Sequence, residues 1–350
     1  MTVLMIACSV PAFRIMQELE KKWKALRADI TFVCKVKCSG LPELSEKGSL
    51  RECVGEWFGA GAKRADAIVF FGAAGIAVRA IAPFIRHKSL DPAVLVVDER
   101  GKFCISLLSG HAGGANELTG QVAEMLGALA VITTATDLEG KFAVDDFARK
   151  NDLVVTDWEM AKKISVRILN GTKVGISSEL LFANQPCGGV FADDSSEDAG
   201  IVISYRSTAS SPYRETLQLA PRVLALGIGC KKNTPKEKIE EAVNACLAEE
   251  SIRCEAVFAA ASIDLKVREQ GITTWCKERG IPFFTYSAEE LRAVGGEFSG
   301  SPFVEKTTGV SNVCERSAVL AAGNGTLLVG KKIYDGITVA IAEKKGRIAF

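Results

Sequence analysis

Short apolar runs alternate with amphipathic segments over most of this 350-residue chain, and this alternation most constrains its fold. The run TVLMIACS has the length and composition of a strand, PAFRIMQELEKKWKALR has helical spacing, and ITFVCKV is a second strand. The order recurs at ADAIVFFG, GAAGIAVRAIAPFI and AVLVVDE, and a turn at Glu99–Gly101 then joins AVLVVDE to the strand CISLL. Repeated units of this kind predict an α/β architecture with a largely parallel sheet.

The alternation of strand and helix patterns is interrupted once and then resumes, which divides the chain into three parts. The strand–helix order weakens after about 138, where short helices and the stretch CGGVFADDSSEDAG appear, and it resumes at RVLALGIGCKKNTPKEKIEEAV. We predict an N-terminal α/β domain over 1–138, a smaller α+β middle region with its linker over 139–220, and a C-terminal α/β domain over 221–350. The predicted fold class is α/β, with two domains of mainly parallel sheet joined by the middle region.

Composition narrows the classes of function. The net charge of +1 disfavours a general nucleic-acid or membrane-surface binder, and no apolar run approaches the length of a membrane span. Eleven cysteines are scattered through apolar runs without metal-ligand spacing, which favours free thiols in a reducing cytoplasm. We therefore predict a cytoplasmic protein with no metal site and no nucleic-acid or membrane partner.

One of only two histidines, His111, lies among glycines in SLLSGHAGGANEL, between a predicted strand and a predicted helix. Glycines let a ligand approach the backbone, amides at a helix start favour anions, and a histidine there can transfer protons near neutral pH. A structural histidine in a tight turn is the alternative. The candidate catalytic residues are His111, Asn116 and Glu117, and the candidate substrate-binding residues of this turn are Ser109, Gly110, Gly113 and Gly114.

A second glycine turn, GAAG, follows the strand ADAIVFFG and lacks the GxGxxG spacing of a dinucleotide site. Cationic side chains follow it, which favours a ligand bearing carboxylate or phosphate groups, with a solvated helix face as the alternative. His87, within RHK, is expected at the surface. The candidate substrate-binding residues here are Gly72, Gly75, Arg79, Arg86 and Lys88, together with Asp137 after a later strand.

A third turn, LALGIGCKKNTPKE, supplies the candidate substrate-binding residues Gly227, Gly229 and Cys230. Its spacing departs from that of a nucleotide phosphate loop. A nucleophilic role for Cys230 is disfavoured because no histidine follows His111 in the chain. Lys266 and Glu269, three residues apart, are expected to form a surface ion pair.

Five segments of the chain form one ordered set: GIAVRAIAPFIRHKSLDPAVLVVDERGKFCISLLSGHAGGANELT, ITTATDLEGKFAVDDFA, LALGIGCKKNTPKEKIEEAV, ASIDLKVREQGI and GVSNVCERSAVLAAG. In these motifs and in their order, the chain resembles the CbiG family of cobalamin-biosynthesis proteins. It implies cobalt-precorrin-5A hydrolase activity, in which water opens a δ-lactone, acetaldehyde is expelled and cobalt-precorrin-5B remains. The implied substrate is a cobalt-bound modified tetrapyrrole, so the cobalt arrives with the substrate and no cofactor is expected.

Combined with this resemblance, the turn suggests a mechanism. His111 would activate water, amides around Gly110, Gly113 and Gly114 would stabilise the oxyanion, and Asn116 and Glu117 would orient the histidine or the substrate. The cations after GAAG would hold peripheral carboxylates. Two rivals are a tetrapyrrole carrier of the same pathway without chemistry and an unrelated α/β hydrolase of small esters. A homodimer and transient contact with pathway methyltransferases stay open.

Overall fold

The first apolar runs of the sequence form the centre of a six-stranded sheet. In the computed structural model, which describes residues 1–27, 29–42, 45, 47–59, 63–88, 90–134, 140–192 and 198–350, this sheet lies in a unit spanning Met1–Arg149. Its strands are β1 (Thr2–Ala7), β2 (Thr31–Val36), β3 (Ala67–Phe71), β4 (Ala93–Val97), β5 (Phe103–Leu108) and β6 (Leu129–Val131). Every residue of β3 and β4 is buried, as expected for parallel strands that are covered on both faces.

The direction of the strands changes once within this sheet. The order is β2-β1-β3-β4-β5-β6, and β1 to β4 are parallel. The turn after Val97 reverses the chain, because the Asp98 carboxylate accepts the amides of Arg100, Lys102 and Phe103 and closes a hairpin. Strand β5 therefore runs antiparallel to β4, and β6 runs parallel to β5.

Helices cover the two faces of this sheet. They are α1 (Val10–Leu26), α2 (Leu50–Phe58), α3 (Ala74–Ile81) and α4 (Ala115–Leu126). A 3-10 turn (Ala82–Phe84) follows α3, and α5 (Val144–Lys150) comes after β6 in the chain. Side chains of α1 and α4 share one core with Met5, and those of α2 and α3 share another with Ile6, because successive strand residues point to opposite faces. Helix α1 begins where the Ser9 hydroxyl accepts the Ala12 amide.

The second unit, Lys150–Phe350, contains two five-stranded sheets and a two-stranded one. Their orders are β10-β8-β11-β12-β7, β15-β14-β13-β17-β16 and β18-β9. The strands are β7 (Leu153–Val155), β8 (Val174–Ser178), β9 (Leu181–Phe182), β10 (Val190–Ala192), β11 (Ala199–Ile203), β12 (Glu215–Pro221), β13 (Leu224–Gly229), β14 (Val257–Ile263), β15 (Phe283–Tyr286), β16 (Thr326–Tyr334), β17 (Ile337–Glu343) and β18 (Arg347–Ile348). The helices are α6 (Trp158–Leu169), α7 (Lys236–Glu249), α8 (Gln270–Arg279), α9 (Ala288–Ala293), α10 (Pro302–Thr308) and α11 (Cys314–Ala321), with 3-10 turns at Cys254–Ala256 and Asp264–Lys266.

The predicted fold class is confirmed, because two of the three large sheets are mainly parallel and all three alternate with helices. The third is mixed, since β13, β14 and β15 are parallel whereas β17 is antiparallel to both β13 and β16. Lys266 and Glu269 form the predicted ion pair, but the prediction that it lies at the surface is wrong. The two side chains are only 16% and 6% exposed. Glu269 also accepts the amide of Thr234, which ties two loops together. Within the described ranges, no helix combines the length and the apolar character needed to cross a membrane.

Candidate active site

The segment from Ser109 to Gly114 forms a tight turn between β5 and α4. The amides of Gly113 and Ala115 donate to the Ser109 carbonyl at 3.1 Å each, and the Gly114 amide donates to the His111 carbonyl at 2.9 Å. The amides of Gly113 and Gly114, expected to face an oxyanion, are thus already engaged inside the turn. Gly114 has a φ of +80° at the start of α4, a conformation that favours glycine.

The glycines of this turn permit close packing of the turn upon itself. A Cβ on Gly110 would lie 2.7 Å from Asn116 Oδ1, and one on Gly113 would lie 2.5 Å from Ser109 Cβ. Ser109 itself is buried and has a φ of +58°, which is unusual for a residue with a side chain. Gly110 and Gly113 therefore have a packing role, which differs from the predicted role of admitting a ligand.

Replacing Gly113 by alanine is expected to lower the free energy of unfolding by about 1–3 kcal/mol, because the added methyl group overpacks the turn. Gly120→Ala is the matched control in α4, where a Cβ meets no described atom within 4 Å. This control should be neutral or stabilise the helix by about 0.5–1 kcal/mol. Urea unfolding of both variants measures the difference, and equal stabilities would contradict the packing role of Gly113.

The side chain of His111 contacts a carboxylate that the sequence analysis did not identify. Nδ1 of His111 lies 3.3 Å from Asp145 Oδ1, with side-chain exposures of 9% and 14%. The other oxygen of Asp145 accepts a hydrogen bond from Lys88 Nζ at 3.0 Å. A carboxylate facing Nδ1 favours the neutral tautomer that carries its proton there, which leaves Nε2 able to accept one.

His111 and Lys88 stabilise the negative charge of Asp145. Burial by itself raises the pKa of this carboxyl group, but the hydrogen bonds and positive charges of His111 and Lys88 outweigh burial and hold the pKa at about 2. Asp145 therefore remains an anion at neutral pH and can orient the imidazole of His111.

The low pKa of Asp145 predicts a loss of stability in acid. An unfolded aspartate has a pKa of about 3.9, so between that value and about 2 the unfolded chain binds the additional proton. The contribution to the free energy of unfolding, roughly 2 kcal/mol, is complete above about pH 4 and is lost as the pH falls toward 2. Urea unfolding at about pH 5 and about pH 2 should show a smaller loss for Asp145→Asn than for the wild type. An equal loss in both proteins would contradict the assigned partners.

Arg149, which the sequence analysis also missed, holds the backbone of the turn. Its Nε donates to the His111 carbonyl at 3.1 Å, and its Nη2 lies 2.6 Å from Glu117 and 2.9 Å from Asp146. Glu117 is therefore paired with Arg149. Asp145, Asp146 and Arg149 all lie on α5, in a segment predicted as a short helix and partly included in the family resemblance, but none of the three was singled out as a site residue.

Asn116 joins three segments around the turn. It is 6% exposed, its Oδ1 accepts from Ser106 Oγ at 2.6 Å, and its Nδ2 donates to Thr134 Oγ1 at 3.0 Å. These contacts connect β5, α4 and the chain after β6. The side chain thus fixes the start of the helix that follows His111.

The other predicted residues of this unit are only partly brought together. Gly72, with a φ of +150°, donates its amide to Val97 at the carboxyl end of β4. Leu108 instead pairs with Val94 at the other end of β4. The two glycine turns therefore lie at opposite edges of the sheet, because the hairpin reverses β5 and separates the turns by the length of β4, about 13 Å.

The cationic residues after the GAAG turn have distinct environments. Arg79 donates to the carbonyl of Gly75, on its own helix, at 3.0 Å. Arg86 is exposed, and its amide donates to both oxygens of the buried Asp91. Among these predicted residues, Lys88 reaches the His111 site through Asp145. Asp137 lies outside the described residues.

In the second unit, Gly227 and Gly229 lie on β13 and Cys230 follows it. A Cβ on Gly227 would overlap the Cys314 carbonyl of α11, and one on Gly229 would overlap the Thr338 hydroxyl. Both positions require glycine for close packing of neighbouring elements. Burial raises the pKa of the Cys230 thiol, so this cysteine is not activated as a nucleophile.

Three family models match successive parts of the chain. The model of Cobalamin synthesis G N-terminal matches residues 56–137, that of the Cobalamin biosynthesis central region matches 142–221, and that of Cobalamin synthesis G C-terminus matches 224–342. The matches agree with the resemblance found in the sequence.

Individual relatives extend these matches. The chain is 37% identical over 285 residues to a cobalt-precorrin-5A hydrolase of Salmonella typhimurium, covering 79% of this chain and 81% of the relative. It is 33% identical over 284 residues to a cobalt-precorrin-5A hydrolase of Priestia megaterium, covering 77% and 76%. A crystal structure of a cobalamin biosynthesis protein G homolog from Sulfolobus solfataricus aligns over 98% of this chain and 97% of that chain, with 24% identity and a TM-score of 0.44. The chain belongs to the CbiG family of cobalamin-synthesis proteins.

Proposed function

We propose that this chain hydrolyses cobalt-precorrin-5A to cobalt-precorrin-5B and acetaldehyde. The family and the names of its relatives support a hydrolase of cobalamin biosynthesis. The observation that carries the proposal is the contact of 3.3 Å between His111 Nδ1 and Asp145 Oδ1 in the turn after β5. A carboxylate-oriented imidazole is an arrangement suited to general base catalysis.

His111 performs the first proton transfer in this account. Its Nε2 accepts a proton from water as the water oxygen adds to the lactone carbonyl carbon. The bond between that carbon and the ring oxygen then breaks, and the departing oxygen takes the proton from His111. Asp145 stabilises the imidazolium that exists between these two events.

The released alcohol then leaves as acetaldehyde. Its O–H proton passes to His111, which is neutral again after the lactone opens, and from there to solvent. The C–O bond becomes the aldehyde carbonyl, and the electron pair of the broken C–C bond enters the conjugated ring system of the macrocycle. One water molecule is consumed in the lactone opening. The cobalt belongs to the substrate, and we propose no cofactor held by the protein.

Positive charge at the turn supports the binding of an anionic substrate. Lys88 is half-exposed beside Asp145, so its ammonium group can also face a substrate carboxylate or the developing oxyanion. Arg86, exposed two residues earlier, adds a second cation for peripheral carboxylates. Lys88 therefore takes the charge-stabilising role that the sequence analysis gave to the amides of Gly113 and Gly114.

The proposed setting is the reducing cytoplasm. All eleven cysteines are free thiols, as a reducing compartment would keep them. A homodimer and transient contact with pathway methyltransferases are compatible with this proposal and are not needed for the chemistry.

Anaerobic incubation of the purified chain with cobalt-precorrin-5A tests the proposal. Trapped acetaldehyde and a corrinoid of the corresponding mass, formed over many turnovers, are expected. A stoichiometric complex that releases no acetaldehyde would instead support the carrier. Turnover of simple esters without turnover of the corrinoid would support an unrelated esterase.

A further inference from the structure

One face of the β5–β6 strand pair carries large apolar side chains beside the His111 turn. Phe103 pairs with Leu129 and Ile105 pairs with Val131, so these four side chains point to the same face. Leu107, two residues before Ser109, packs against the same core as Ile105 does and so lies on that side of the sheet. We call these five residues the β5–β6 face.

The opposite face of the same strands is covered. Cys104 packs in one core with α1 and α4, Ala130 packs against it, and Ser106 bonds to Asn116 of α4. The β5–β6 face differs, because Ile105 and Leu107 reach only the margin of the core beneath α2 and α3. Its outer members are open to solvent, with Phe103 45% exposed and Leu129 62% exposed.

Neighbouring exposed aromatic and aliphatic side chains promote aggregation unless they bind a ligand or a partner. Cations stand at both ends of this face. Arg100 and Lys102 are exposed in the hairpin turn before Phe103, and Lys88 lies beside Asp145 at the other end. The five residues of β5 from Phe103 to Leu107 span about 13 Å between these ends.

We propose that the β5–β6 face binds the flat apolar ring surface of the tetrapyrrole substrate, with the cations at its two ends holding carboxylates of the ring edge. The proposal rests on the proposed function, because that function supplies a macrocycle with an apolar plane and an anionic rim. The five apolar side chains form one continuous surface, and β5 leads directly into the His111 turn, so a ring lying on this face presents its edge to the catalytic imidazole.

Substitution of the exposed members of the face tests this site. We would titrate the wild type, Leu129→Gln and Phe103→Ser with cobalt-bound uroporphyrin, an octacarboxylate tetrapyrrole, and measure KM and kcat with cobalt-precorrin-5A. Each variant should raise both Kd and KM about tenfold, the effect of losing one buried apolar side chain, with kcat within about twofold. Leu26→Gln is the matched control, because Leu26 is 70% exposed at the end of α1, and its Kd and KM should equal those of the wild type.

The results separate this site from the proposed function. If the wild type turns over the substrate and both variants keep its Kd and KM, the ring does not lie on this face and the proposal is overturned. A wild type that assembles as a dimer, with Leu129→Gln monomeric at unchanged Kd, would assign the face to a second copy and also overturn it. Weakened uroporphyrin binding by both variants, in a chain without turnover, would support the face and reject the hydrolase.

Discussion

Replacing His111 by alanine is expected to lower kcat for cobalt-precorrin-5A by about 10²–10⁴-fold, the usual contribution of a positioned general base. The KM should change little, because the imidazole acts on water and does not bind the peripheral carboxylates. Acetaldehyde release under saturating substrate measures the effect.

The chain offers a matched control in its other histidine. His87 is exposed and lies next to Lys88, so His87→Ala tests whether removal of any histidine near the site lowers activity. This variant should keep the wild-type kcat. A His111→Ala enzyme whose kcat remained within about threefold of the wild type would remove His111 from the chemistry, since the loss of a general base costs far more.

Replacing Asp145 by asparagine should lower kcat by about 10–10³-fold, because the amide cannot hold the Nδ1–H tautomer or stabilise the imidazolium. Nitrogen NMR of the imidazole gives an independent readout. In the wild type the proton should reside on Nδ1, and in the variant it should shift toward Nε2. The two readouts together distinguish positioning of His111 from general damage to the fold.

The adjacent carboxylate provides the control for this substitution. Asp146 lies one residue further along the same helix and contacts Arg149. Asp146→Asn should leave the tautomer of His111 unchanged and reduce kcat far less than Asp145→Asn does. Equal losses in the two variants, with no change in tautomer, would assign Asp145 a structural role only.

Local features of this protein are well predicted from the sequence. Short apolar runs correctly indicate the strands β1, β3 and β4. The helical spacing of apolar residues correctly indicates α1. The placement of His111 in a turn between a strand and a helix is also local, and it is confirmed. Family membership likewise follows from motifs that are contiguous in the sequence.

The partners of His111 could not be predicted in this way. Lys88 precedes the motif in the chain and Asp145 follows it. Only the tertiary fold places the Asp145 carboxylate between Lys88 and His111. Spacing within SLLSGHAGGANEL favoured Asn116 and Glu117 as orienting residues, but the side-chain bonds given above for these two residues go to Ser106, Thr134 and Arg149. Spacing describes neighbours along the chain and carries no information on contacts made through the tertiary fold.

The position of the glycine turns shows a second limit. Each turn was correctly placed at a strand end, but the edge of the sheet depends on strand direction. The hairpin bonded by Asp98 turns β5 around, so its end lies near the start of β4, away from Gly72. The roles of Gly110 and Gly113 depend likewise on side chains that pack against them, since a glycine needed for close packing looks the same in sequence as one that admits a ligand.

The most direct test of the account is hydrolysis of cobalt-precorrin-5A in water enriched in oxygen-18, followed by mass analysis of the corrinoid product. Attack of His111-activated water on the lactone carbonyl predicts one heavy oxygen in the newly formed side-chain carboxylate, and no labelled corrinoid from His111→Ala in the same time. A corrinoid product without the label, formed at the normal rate, would show that the ring opens elsewhere and would contradict the role assigned to the His111–Asp145 pair.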